Sequence, residues 1–218
     1  MVEALLFAAP EPLTDEELAR ILPAEVAIGE VMGQLSAHYD GRGVVLQRVA
    51  GKWAFRTAPD LGYLLKRDGE EPKKLTRAGL EVLAIIAYHQ PVTRAEIEDI
   101  RGVSTYRGTL DALLAAGWVR MRGRRRSPGR PVTYGTTEAF LIQFGLDRLS
   151  DLPGLDEMKG AGLVDDVSPG FTVPLPSDDP ALRADEDALE ADIFETMLEE
   201  RLAEDEPPLE TDDDLKQD

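Results

Sequence analysis

The chain has 218 residues, with 24 Lys and Arg against 42 Asp and Glu, a formal net charge of −18, and no cysteine. That length allows one domain or two, and the lack of cysteine excludes a disulfide framework and any thiolate metal site. The charge is uneven: net −5 over residues 1–72, +6 over 73–149 and −17 over 161–218, so the acidity belongs to a tail. No apolar run approaches the roughly 20 residues of a membrane span, and Met1-Val2-Glu3 has no basic leader region, so a cytoplasmic protein is expected.

Val2 to Ala9 reads as an apolar helix. In Pro12-Leu13-Thr14-Asp15-Glu16-Glu17-Leu18, Thr14 is placed to cap a second helix, with Glu17 reaching back to the cap. Ala24 to Tyr39 is a third, amphipathic helix. If Ala50-Gly51 turns a hairpin, Val44, Leu46, Trp53 and Phe55 share one face, and Val45, Gln47, Lys52, Ala54 and Arg56 share the other. Asp60 to Lys66 suggests a short helix, and Arg67 to Pro72 a polar linker.

The same order then repeats. Leu75 to Gln90 is an apolar helix, and Pro91-Val92-Thr93-Arg94-Ala95-Glu96-Ile97 carries the same capping pattern, Thr93 with Glu96. A further helix follows near Ser104 to Ala115. Strands near Trp118 to Arg122 and Val132 to Gly135 then flank an arginine-rich tip. Three helices followed by a hairpin make a winged helix, a relative of the helix-turn-helix. The expected fold is mainly α with small β-hairpins: tandem winged helices over 1–68 and 73–150, then an acidic tail over 161–218. High charge and little apolar content predict that the tail is largely disordered. Within it, Leu182, Leu189, Ile193, Phe194, Met197 and Leu198 recur near helical spacing between Ala181 and Ala203. A transient acidic helix and a partner-binding helix both fit that pattern.

Arg120, Arg122, Arg124, Arg125, Arg126 and Arg130 surround the second hairpin and are candidate contacts to phosphate or to an acidic partner. The helix that would read DNA bases, Thr105-Tyr106-Arg107-Gly108-Thr109-Leu110-Asp111, has no Asn or Gln to pair with adenine. Asp111 stands four residues from Arg107, placed to neutralise it. A flexible tail of this length spans on the order of 40 Å. Its tethered concentration, in the mM range, suffices to mask the arginines from non-specific DNA. The tail's deletion is then expected to strengthen salt-sensitive retention on DNA.

Catalytic signals are weak. His38 and His89 stand alone near helix ends, Glu96, Glu98 and Asp99 read as a solvated helix face, and no Walker, dinucleotide or nucleophile-elbow motif occurs. No enzyme, cofactor or metal is expected. The apolar surplus points to partners: Leu80 to Ala87 is apolar nearly all round, and Leu5, Leu6 and Phe7 have few polar neighbours. Leu5, Leu6, Phe7, Ile85 and Ile86 are therefore the candidate dimer or partner surface.

Leu75-Thr76-Arg77, Leu83 to Tyr88, Gln90 to Ile97 and Ile100-Arg101-Gly102-Val103 are recognisable as a set, together with Gly117-Trp118, Gly129-Arg130-Pro131, Tyr134 to Thr137 and Phe140 to Gly145. So arranged, the chain resembles the bacterial segregation and condensation protein B family over about residues 3–159. The resemblance implies a homodimer of two winged-helix domains per chain, with dimerisation in the first. It further implies docking to a kleisin subunit (segregation and condensation protein A) and through it to an SMC ATPase. Such a subunit is non-catalytic and nucleoid-associated, and acts in chromosome condensation and segregation during cell division. A winged-helix transcriptional regulator is the alternative, reading a palindromic site with Thr105, Arg107 and Thr109.

Overall fold

The computed structural model describes residues 1–65, 75–154, 157, 176, 177, 179 and 181–189. Helices and small antiparallel sheets build it. Its first half runs α1 (Val2–Ala8), α2 (Asp15–Ile21), α3 (Ile28–Tyr39), β1 (Val44–Val49) and β2 (Lys52–Thr57), followed by a 3-10 turn at Pro59–Leu65. The Thr14 hydroxyl accepts from the Glu17 N–H at 3.1 Å, and the Glu17 carboxylate accepts from the Thr14 N–H at 2.8 Å. This is the expected capping box. Helix α3 starts later than Ala24 because Pro23 to Val26 close a turn of their own, Val26 N–H to Pro23 O at 3.0 Å.

Ala50 and Gly51 both adopt positive φ, as a two-residue hairpin turn requires, and Leu46 faces Phe55 across the ladder. Leu6, Leu18, Leu22, Met32 and Leu46 form the first core, with Trp53 and Phe55 against it.

The second half runs α4 (Arg77–His89), β3 (Val92–Thr93), α5 (Arg94–Arg101), α6 (Arg107–Ala115), β4 (Val119–Arg125), β5 (Val132–Thr136) and α7 (Glu138–Phe144). Thr76 and Thr93 cap α4 and α5, and Gly102 ends α5 in the left-handed conformation. Helix α6 begins at Arg107 rather than Ser104 because α5 side chains already satisfy the preceding backbone. Glu98 accepts from the Thr105 N–H at 2.9 Å, and Arg94 donates to the Thr105 carbonyl at 2.6 Å. Val82, Leu83, Ile86, Ile97, Leu110, Leu113, Val119 and Phe140 pack into a second, separate core.

The outer face of the first hairpin is not left to water. Gln47 donates to the Gly145 carbonyl at 3.0 Å, the Gly51 N–H to Asp147 at 2.7 Å, and the Ala50 N–H to the Leu146 carbonyl at 2.9 Å. Arg56 donates to the Ile142 carbonyl, and Lys52 pairs with Glu138 at 2.5 Å. The polar alternation read from sequence is an interface between the two halves.

A further strand, β6 (Glu186–Ala188), pairs antiparallel with β4, giving the sheet order β3-β5-β4-β6. Ala181 to Leu189 is thus neither helical nor unstructured, as composition had suggested. The rest of the expected helix, from Glu190 onward, lies outside the described residues.

Candidate interaction surfaces

The six arginines of the second hairpin divide by role. Arg120 and Arg124 serve the hairpin itself, donating to the Thr136 and Arg130 carbonyls at 3.4 and 2.9 Å. The other four hold the acidic segment. Arg125 pairs with Asp185 at 2.9 Å, and Arg126 and Arg130 pair with Asp187 at 2.7 and 3.1 Å. Arg122 lies 3.6 Å from Glu186 and donates to the Ala181 carbonyl. Arg126 holds the Asp187 carboxyl below the usual carboxylate range, with Arg130 assisting.

Sequence reasoning missed the double role of Glu96, because the solvated-face reading considered only its own helix. Besides capping α5 it accepts both oxygens' worth of contact from Arg125, at 2.9 and 3.0 Å. Burial pushes its carboxyl up, but the Thr93 N–H and the Arg125 guanidinium outweigh that and hold it below its ordinary 4.5. A depressed carboxylate stabilises the fold above its unfolded pKa, and the contribution is lost as pH falls through the folded pKa. The difference in urea midpoint between the native chain and Glu96→Gln is therefore expected to be full well above the ordinary 4.5 and to shrink progressively as pH falls below it. An unchanged difference down to pH 3 would contradict this pairing. Gln90 was also missed. Its buried side chain accepts from the Thr136 N–H at 2.6 Å and donates to the Ser177 carbonyl at 3.2 Å.

Thr105 is 1% exposed, with its hydroxyl accepting from Arg101 at 3.2 Å. It cannot reach a base edge. Arg107 and Asp111 form no ion pair among the described residues, so the expected neutralisation does not occur in that form.

The apolar candidates separate as well. Leu6 and Ile86 are buried in the two cores and offer no surface, a correction set by helical phase. Leu5 and Ile85 pack partly against those cores. Phe7 alone of the five projects outward, 84% exposed, beside a groove lined by Met1, Glu3, Ala4, Tyr39, Val44 and Phe55. Leu80 adds an exposed apolar position on α4. No helix among the described residues is long and apolar enough to cross a membrane, and no described group of three or more His, Cys, Asp or Glu could hold a metal.

Residues 1–155 match the family model described as segregation and condensation complex subunit ScpB. Segregation and condensation protein B of Symbiobacterium thermophilum is 40% identical over 178 residues, covering 80% of this chain and 78% of its own. The Bacillus subtilis protein of that name is 44% identical over 162 residues, 72% and 82% of the two chains. The Myxococcus xanthus protein is 47% identical over 161 residues, 72% of this chain and 49% of its own. Among solved structures, ScpB from Mycobacterium tuberculosis is 33% identical, covers 66% of this chain and 92% of its own, and superposes with a TM-score of 0.32. Identity at this level, with a family match over residues 1–155 that spans both cores, places the chain in the ScpB family of segregation and condensation complex subunits.

Proposed function

We propose that the chain is a non-catalytic accessory subunit of the bacterial SMC–kleisin complex, acting in chromosome condensation and segregation during cell division. The carrying observation is the family match over residues 1–155, reinforced by relatives named for that role. In this reading the two helical cores belong to tandem winged-helix domains, 1–68 and 73–150. The first supplies a homodimer contact through the Phe7 face. Both contribute to docking the kleisin, which links the subunit to the SMC ATPase at the nucleoid.

The alternative of a sequence-specific DNA regulator loses support at Thr105. One of its three would-be reading residues is locked inside the fold by Arg94, Glu98 and Arg101. A protein that discriminates sequence needs such side chains free at base edges.

Affinity purification of the tagged chain from its host extract, followed by mass measurement, tests the proposal. Stoichiometric recovery of an SMC ATPase and a kleisin is expected. Recovery of neither, or a discrete footprint on genomic DNA, overturns it.

A further inference from the structure

The second sheet has an edge at β4, and the chain fills that edge with its own residues 183–188. An open edge presents unpaired backbone groups, which a further strand satisfies. Here β6 pairs Glu186 with Arg125 and Asp187 with Arg124, and the Arg126 N–H donates to the Asp185 carbonyl at 2.7 Å.

The edge is built to receive a carboxylate. The Glu186 side chain is 0% exposed; it accepts from the Thr133 hydroxyl at 2.7 Å and lies 3.6 Å from Arg122 Nε. Arg122 is itself only 6% exposed, and its Nε has no hydrogen-bond partner, while Thr133 is fully buried. Arg122 and Thr133 both belong to the sheet (β4 and β5), so neither partner of the carboxylate comes from the segment that fills the edge. Backbone access depends on Gly123: a Cβ there would stand 2.6 Å from the Asp187 carbonyl and 3.0 Å from Leu182. Arg125 on one side and Arg126 with Arg130 on the other take the flanking carboxylates.

A phosphodiester backbone matches this poorly. It offers no N–H and C=O ladder to β4, and it cannot enter a pocket beneath a paired strand. An extended peptide with consecutive acidic residues matches every element.

We propose that the β4 edge is a docking site for an extended acidic strand of a partner protein, and that residues 183–188 are its internal competitor. Tethering gives the internal strand an effective concentration in the mM range. It therefore excludes weak acidic ligands and yields only to a strand that pairs better. Substitutions in the cis segment and in the edge have opposite consequences, which separates the two halves of the proposal.

The test is fluorescence anisotropy of a labelled peptide copying residues 181–189, added to the full chain. The native chain is expected to bind it at least about 10-fold more weakly than the Glu186→Lys chain, whose own segment is disabled. Adding Gly123→Ala to Glu186→Lys is expected to abolish binding without moving the thermal transition. Equal binding by native and Glu186→Lys chains overturns the competitor, and binding that survives Gly123→Ala overturns the site. Displacement of the peptide by duplex DNA as readily as by unlabelled peptide would instead make the edge a phosphate surface.

Discussion

Replacing Phe7 with Asp is expected to split the proposed homodimer into monomers across the micromolar range. Phe7 lies on the solvent side of α1, while Val2 and Leu6 on the same helix are buried in the first core. Met1 and Val44, both exposed, extend the patch beside it. A core side chain could not be changed this way without unfolding the protein, but Phe7 is not part of the core. Full burial of a Phe is worth about 1.5–3 kcal/mol, and a twofold contact counts each side chain twice. Losing about 4 kcal/mol weakens the dimer about 10³-fold. Two buried carboxylates would add further repulsion. Sedimentation equilibrium of native and Phe7→Asp chains decides the matter, with the thermal transition as control. A Phe7→Asp chain that remains dimeric removes α1 from the interface.

Leu113→Ala is expected to lower the stability of the second half by about 3 kcal/mol. Leu113 is fully buried on α6, one turn beyond Leu110, and belongs to the core that holds Val82, Ile86, Ile97 and Phe140. Residues from several elements meet there, so the structure cannot collapse easily around a removed isobutyl group, and a cavity persists. That loss is a large share of a typical domain's stability of 5–15 kcal/mol. Each core has one tryptophan packed against it, Trp53 in the first and Trp118 in the second. In a Trp53→Phe background, urea unfolding followed by Trp118 fluorescence reads the second half directly. A change below about 1 kcal/mol would mean that the site repacks.

Most helices were legible because their signals are local. Thr14 with Glu17 and Thr93 with Glu96 mark helix starts through short-range hydrogen bonds, and Ala50-Gly51 marks a hairpin through its backbone conformation. The start of α6 was less legible. The sequence placed it near Ser104, but side chains of α5 reach forward and hold Thr105 outside the helix. The strand Val92–Thr93 is too short to show a period, and pairing with Tyr134 and Thr133 alone defines it.

The surface candidates show the same division. Composition was enough to bring out the arginine cluster, the acidic tail and their opposite charge. It could not say that Arg120 and Arg124 serve their own hairpin while Arg122, Arg125, Arg126 and Arg130 grip Asp185, Glu186 and Asp187. Nor could apolar content distinguish Phe7 from Leu6, adjacent residues that the helix turns about 100° apart, one into the core and one to solvent.

Sequence alone determined the capped helices, the two hairpins, their repeated order and the charge asymmetry, because caps, turns and periodicity act over a few residues. Only the tertiary structure decided which polar face of the first hairpin meets Gly145 and Asp147, and which strand closes the β4 edge. Those contacts join residues about 60 to 100 positions apart in the chain. Pairing across such separations depends on where the assembled cores bring the backbone, and no short-range pattern encodes that.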